Sequence, residues 1–419
     1  MQKIKKLIGD KKLSNSFEEL NLDAAIIEAL RKQGITEPTE IQKRVIPFAI
    51  EKKDIIGQSK TGTGKTLAYV LPIFQMVDTD KREMQVLVLA PTHELAIQIH
   101  KEIEKLSKEA GKSVSAVPII GDANITRQIE KLKEKPHIIV GSTGRILELI
   151  KKKKISAHTV KTIGIDEADR LLDKNNIETV KAVIKTTLRD RQLMMFSATV
   201  SSKTIEAARE FMKSPELIMV EDRDAVNADI DNYYFVCDRR DKFEVLRKLI
   251  HAVNPEKAIV FINKSEDIQI TTEKLKYHKL KAEGIHGTNE KEQRQRALES
   301  FRTGKVQLLV ASDIAARGLD IKGITHVFNL EVPEDPKDYL HRVGRTGRAG
   351  KNGAALSIVT EIEEETINKI ARFYKIKIDK KDIYGGKVVE YGLQRKPGSF
   401  NKVSGKSVYK DKKWPKNEK

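Results

Sequence analysis

Asp54-Ile55-Ile56-Gly57, followed by Ser59-Lys60-Thr61-Gly62-Thr63-Gly64-Lys65-Thr66, is the stretch on which the reading of this chain turns. The apolar run is too short for a helix and suits a strand buried on both faces. A helical pattern follows Thr66. A glycine-rich turn between strand and helix lets backbone N–H groups close round phosphate oxygens at the positive end of the helix. Lys65 then reaches the outer phosphates and the Thr66 hydroxyl holds Mg²⁺. The strict pattern opens with glycine, where this chain has Ser59. A chance Gly-Lys-Thr is the competing reading, and the strand–turn–helix context argues against it.

Outward from this turn, short apolar runs alternate with longer amphipathic stretches from about Ser16 to Val220. The runs include Val86 to Leu89, His137 to Val140, Thr162 to Ile165 and Leu193 to Phe196, with helical patterns such as Glu94 to Ala110 between them. Such alternation implies a parallel sheet covered on both sides. The polar segment from Glu221 to Asp229 reads as a linker, and the alternation then restarts. Tyr233 to Val236, Ala258 to Ile262, Leu308 to Ala311, His326 to Leu330 and Ala354 to Val359 read as the strands of a second parallel α/β domain. The expected division is a basic N-terminal extension over 1–15, a first domain over 16–221, a linker over 222–231, a second domain over 232–390 and a tail over 391–419. The halves look alike in architecture only.

The bulk properties agree. A chain of 419 residues exceeds one ordinary core. Its 78 basic against 60 acidic residues give +18. That surplus points to a polyanionic partner, with solubility as the alternative. A single cysteine, Cys237, rules out an internal disulfide, fits a reducing compartment and reads as a small core residue. No apolar run approaches a membrane span, and no apolar stretch follows the basic Met1 to Lys6, so a soluble cytoplasmic monomer is expected. The residues from Leu393 to Lys419 hold nine basic and two acidic groups, with Phe400, Tyr409 and Trp414 among them. With little to bury, they are expected to be disordered without a ligand. A solvated end and a nucleic-acid contact that stacks aromatics on bases both fit them.

Two more clusters bear on chemistry. The strand ending at Ile165 runs into Asp166-Glu167-Ala168-Asp169. Carboxylates at the C-terminal end of a parallel strand sit where such sheets bind ligands. Asp166 would coordinate Mg²⁺, partly through water, and Glu167 would orient and deprotonate an attacking water. An acidic helix start explains the same letters, and only the phosphate loop in the same domain favours catalysis. His341-Arg342-Val343-Gly344-Arg345-Thr346-Gly347-Arg348 supplies positive charge. Arg345 and Arg348 are three apart and share a face if helical. Either they complete the phosphate site from the second domain, or the segment is a surface basic patch.

Taken in order, these pieces resemble the DEAD-box family of ATP-dependent RNA helicases, over roughly Ser16 to Lys375. The resemblance implies two tandem RecA-like lobes flanking a cleft, with ATP and Mg²⁺ in the cleft and RNA lying across both lobes. Phe17, Gly34 and Pro38 to Gln42 are similar to the family's adenine-reading element, here within 16–44, where Gln42 reads the adenine edge and Phe17 supports it. Ser197-Ala198-Thr199 is similar to the motif coupling hydrolysis to strand separation, which brings Asp169 and His341 into the coupling set. Ala311 to Asp320 resembles the element touching RNA and nucleotide, with Gly318 and Asp320 on the nucleotide side. Arg345 and Arg348 match the arginine fingers. The implied RNA contacts are Pro91, Thr92, Gly121, Thr143, Gly144, Arg145, Ile262, Asn263, His286, Gly287, Arg294 and Ser312. Most meet the phosphate–sugar backbone, so binding is expected to be salt-sensitive and largely sequence-independent. Ribosome assembly, RNA decay and cold adaptation are all compatible settings.

The chain departs from the pattern at His93, where the family usually has Arg, at Asp122 for a second Gly, at Ser142-Thr143 for Thr-Pro and at Lys291 for Gln. These bear on RNA affinity and leave the hydrolytic groups in place. An RNA annealer without turnover and a DNA-directed helicase are the rival classes.

Overall fold

The computed structural model describes residues 16–59, 62–121, 123–220, 230–286, 291–316, 321, 323–333, 335–347 and 352–392. Lys60, Thr61, Asp122, Gly287, Gly318, Asp320, Arg348, most of the expected linker and the tail from Leu393 lie outside them.

The first lobe is built on β1 (Ile55–Gln58), β2 (Val86–Leu89), β3 (Ala116–Ile119), β4 (Ile138–Gly141), β5 (Thr162–Ile165), β6 (Gln192–Ser197) and β7 (Glu216–Met219). They form one parallel sheet in the order β3-β4-β2-β5-β6-β1-β7. The central strands are buried on both faces, so their residues alternate between two cores rather than between core and water. Val86 and Val88 of β2 pack on one side with Phe17, Tyr69 and Phe74; Leu87 and Leu89 pack on the other with Ile146, Val180 and Met195. At Gly57 of β1 a Cβ would lie 2.5 Å from the Phe196 ring, so only glycine fits there.

The second lobe follows with β8 (Ile230–Val236), β9 (Ala258–Phe261), β10 (Ala282–Ile285), β11 (Leu308–Ala311), β12 (His326–Asn329), β13 (Gly353–Val359), β14 (Asp379–Tyr384) and β15 (Lys387–Glu390). The order is β10-β11-β9-β12-β13-β8-β14-β15. Counted from the start of each lobe, the first seven strands repeat the order of the first sheet, and β15 is added at the edge. Two features correct the sequence reading. Ile230 and Asp231, assigned above to the linker, are the first residues of β8 and pair with Gly353 and Ala354. The second sheet is not wholly parallel, because β14 and β15 close its edge as an antiparallel hairpin. Cys237 is half-buried at the end of β8, and burial pushes its thiol up.

Candidate functional site

The loop after β1 enters the helix Lys65–Met76. Gly62 and Gly64 take φ of 79° and 86°, a left-handed backbone that glycine adopts without strain. Ser59 Oγ and Thr63 Oγ1 lie 2.6 Å apart across the turn. The Lys65 ammonium donates to the Ser59 carbonyl. Gln42 is buried beside the loop, where Nε2 donates to the Gly64 carbonyl at 3.1 Å and Oε1 accepts from Thr39 N–H at 2.9 Å. A Cβ at Gly64 would lie 2.5 Å from Gln42 Nε2, so the loop and the Gln42 side chain are fitted to each other. Phe17 is buried in the core of the first lobe, in the same apolar cluster as Ile41 and Val45 of the Gln42 helix.

Asp166 leaves β5 into the same pocket. Tyr69, on the helix after the phosphate loop, donates to Asp166 Oδ2 at 2.9 Å. The Tyr69 hydroxyl also neighbours the Thr66 side chain, so Thr66 and Asp166 flank one point. Burial, and then the adjoining Glu167 charge, push the Asp166 carboxyl up to about 6, against the pull of Lys65. A hydroxyl and a buried carboxylate crowded by a second carboxylate form a donor set that fits a hard, oxygen-seeking cation such as Mg²⁺. Tyr69 was not singled out from the sequence; its spacing of four from Lys65, on the helix face that returns to the loop, was the available signal.

Glu167 has φ 48° and ψ 52°, a left-handed conformation costly for a residue with a side chain. The turn starts the short helix Ala168–Leu171 and sends Asp169 and Arg170 toward the other lobe. Asp169 Oδ2 accepts from Thr199 Oγ1 at 3.0 Å and lies 3.4 Å from His341 Nε2. Ser197 Oγ donates to the Thr199 carbonyl at 2.8 Å. The coupling set is thus brought together. Burial pushes the Asp169 carboxyl up, but the hydrogen bond and charge of His341, with the Ser197 and Thr199 hydroxyls, outweigh it and hold Asp169 far below the usual carboxylate range.

From the second lobe, Arg345 follows the helix Pro336–Val343, which sits between β12 and β13. It is 6% exposed, and its Nε donates to the His341 carbonyl at 3.2 Å. Arg342 carries more of the local architecture than the sequence suggested. Its guanidinium is 1% exposed and lies 5.2 Å from the Phe261 ring centroid. It donates to both Asp313 oxygens at 2.7 Å, and to the Glu331 carbonyl and Asn263 Oδ1 at 2.6 Å.

The RNA candidates fall on a pattern. Pro91 and Thr92 follow β2, Gly121 follows β3, and Thr143 to Arg145 follow β4. Ile262 and Asn263 follow β9, His286 follows β10, and Ser312 follows β11. These are the same three adjacent strands of each sheet. The phosphate loop, the acidic segment and Ser197–Thr199 of the first lobe instead lie at the ends of β1, β5 and β6. One half of each sheet therefore carries each group. Several RNA candidates are engaged within the protein. Arg145 donates to the Gly121 and Ala123 carbonyls. His93 Nε2 accepts from Gly121 N–H at 3.2 Å, bracing the same loop. Asn263 Nδ2 donates to the Val332 carbonyl at 3.0 Å. Arg294 donates to the Ala315 carbonyl at 2.9 Å and pairs with Glu94 of the first lobe at 2.5 Å.

A two-lobed protein with a glycine-rich strand-to-helix loop on one parallel sheet, and an Asp169–His341 contact joining that lobe to the other, is the class this geometry defines. The DEAD/DEAH box helicase family matches residues 39–208, and the helicase conserved C-terminal domain matches 241–350. The chain belongs to the DEAD-box helicase family. It is similar to the DEAD-box ATP-dependent RNA helicase CshC of Bacillus cereus, with 43% identity over 87% of this chain and 92% of that one. CshA of the same species is 42% identical over 88% of this chain and 70% of its own length. Among solved structures, S. cerevisiae Dbp5 bound to RNA and ADP BeF3 matches with a TM-score of 0.81 at 28% identity, covering 88% of this chain and 95% of that one. A DEAD box protein from Methanococcus jannaschii is nearer in sequence, at 33% identity over 88% of this chain and 99% of that one, yet its TM-score is 0.53.

Proposed function

We infer that the protein is an RNA-stimulated ATPase that separates or remodels short RNA duplexes locally and without processive travel. The observation carrying this reading is the contact of Asp169 with Thr199 on its own lobe and His341 on the other. Thr199 of the first lobe and His341 of the second meet on this one carboxylate, which supports a link between hydrolysis and lobe closure.

Lys65, which rests on the Ser59 carbonyl, exchanges that partner for the outer phosphates of ATP. Gln42 exchanges its own bonds for the adenine edge, and so links base recognition to the Gly64 turn. Thr66 and Asp166 would hold Mg²⁺, which would screen phosphate charge. Glu167 takes the proton of the attacking water. Arg345, together with Arg348, offsets the charge developing on the transferred phosphoryl group. RNA and ATP each stabilise the closed pairing of the lobes, so each raises the affinity for the other. Hydrolysis removes the group that held the arginines, and the lobes part.

Both halves of the cleft come from one chain, which supports a monomeric working unit. Among the described residues no helix is long and apolar enough to cross a membrane. We place the protein in the cytoplasm, with ribosome-assembly and RNA-decay particles as the assemblies in which to seek it. The test is phosphate release with RNA or with DNA of the same sequence. RNA is expected to stimulate it and DNA is not, and Glu167→Gln is expected to lower the stimulated rate by about 10³-fold. Equal stimulation by DNA, or full turnover in Glu167→Gln, overturns the reading.

A further inference from the structure

Arg170 has no place in the chemistry described so far, yet it sits where the lobes meet. Its backbone N–H closes the turn onto the Glu167 carbonyl at 3.0 Å, so its position is fixed by the strained residue that carries the base. Its side chain is 12% exposed and faces two carboxylates from two lobes. Nη2 donates to Asp338 Oδ1 of the second lobe at 3.0 Å. Nε faces Glu167 Oε2 at 3.6 Å, beyond hydrogen-bonding reach. Both of those atoms, Arg170 Nε and Glu167 Oε2, are buried without a hydrogen-bond partner. A guanidinium is a rigid planar fork, so the partner that captures one arm sets the direction of the others. A buried carboxylate oxygen and a buried N–H paired by charge at 3.6 Å but without a hydrogen bond need only a small shift to form one.

We propose that Arg170 is an interlobe positioning residue for which Asp338 and Glu167 compete. With the lobes closed, Asp338 draws the guanidinium off Glu167 and leaves Oε2 able to accept the proton of the attacking water. With the lobes apart, Asp338 is withdrawn, Arg170 moves the short distance onto Glu167, and the base is engaged as an ion pair. Lobe closure thereby releases the base in the same movement that brings in the cations of the second lobe. Hydrolysis without RNA is suppressed by a contact inside the first lobe, as well as by the absence of the arginines. The inference rests on the proposed role of Glu167 as the base.

The experiment compares steady-state ATP hydrolysis at saturating RNA for the full chain, Asp338→Asn, Arg170→Ala and the double variant. Glu167→Gln is carried in parallel. Asp338→Asn keeps the size of the side chain and removes its charge, so folding is retained; melting curves and nucleotide affinity check this. Its kcat is expected to fall about tenfold, at the low end of interlobe coupling, with KM for ATP within about twofold. Adding Arg170→Ala to Asp338→Asn is expected to recover most of that loss, because the group that captures Glu167 is gone. Rescue of this kind is not expected from residues that merely support the fold. If Asp338→Asn leaves kcat unchanged, or if the two losses multiply in the double variant, the proposal is wrong. Should Glu167→Gln also hydrolyse normally, the fault lies in the assignment of the base rather than in Arg170.

Discussion

The two lobes share a strand order and divide the work unequally. After β1 the first lobe makes a glycine turn that opens a phosphate cradle. After β8, the matching strand of the second lobe, the chain runs through Asp238 into a charged turn at Arg239–Asp241 with no glycine and no cradle. The strands β5 and β12 match in position as well. The first is followed by the buried anion Asp166. Past the second lie the buried cations Arg342 and Arg345. One scaffold has been used twice, once with a buried carboxylate after this strand and once with buried arginines; under the proposed function, the first holds the metal and nucleotide and Arg345 of the second adds positive charge. On that proposal neither sheet carries a complete site, and catalysis depends on closure.

Four experiments test that division. If the second lobe supplies only charge in the transition state, Arg345→Ala is expected to cut RNA-stimulated turnover by about 10⁴-fold while ATP affinity changes little. A variant that keeps its rate would return the whole chemistry to the first lobe. Arg342 is assigned to architecture instead. Removing it leaves Asp313 facing Asn263 without its partner, and Arg342→Ala is expected to lose about 3 kcal/mol in urea unfolding of the second lobe. Unchanged stability would mean that this guanidinium is not the keystone of its lobe.

The third experiment reverses the sign. The Asp166 carboxyl is raised by the fold from 3.8 to about 6, so the folded state favours its neutral form. The resulting penalty is absent below about pH 4 and fully present above about pH 6. Asp166→Asn is therefore expected to stabilise the nucleotide-free protein by about 1–2 kcal/mol at neutral pH while abolishing turnover. The gain in Tm should vanish near pH 4. A gain that persists there would trace the effect to packing. The smallest effect concerns the pair between Glu94 and Arg294, whose side chains are 28% and 19% exposed. Glu94→Gln is expected to lower the coupling between an ATP analogue and RNA by about twofold, and only at low salt. Anisotropy of labelled RNA with and without the analogue measures this.

The strands legible in the sequence were those with neighbours on both sides. The apolar runs at Ile55, Val86, Ile138, Thr162 and Leu193, and their five counterparts in the second half, all became interior strands. The five strands without such runs are β3, β7, β10, β14 and β15, at the margins of the two sheets. Ala282-Glu283-Gly284-Ile285 is too polar to read as a core strand because it needs cover on fewer sides. The site was legible in the same uneven way. Loop and carboxylate motifs announce themselves by spacing. Tyr69, Asp338 and Arg342 act through contacts made only after the chain folds, across separations of 97 residues for Tyr69 to Asp166 and 168 for Arg170 to Asp338. Charge and composition pointed to a polyanion without distinguishing RNA from DNA.

The left-handed turn at Glu167 gives five adjacent letters two audiences. Asp166 and Glu167 are the proposed partners of the triphosphate, while Asp169 and Arg170, swung round by that turn, address the neighbouring lobe. No loop lies between these duties to absorb an error. A single residue inserted or deleted here would rotate one pair away from its audience whatever its identity. Drift in this segment is therefore confined to exchange of side chains at fixed length, and Ala168, which faces neither way and is buried against the core, must stay small.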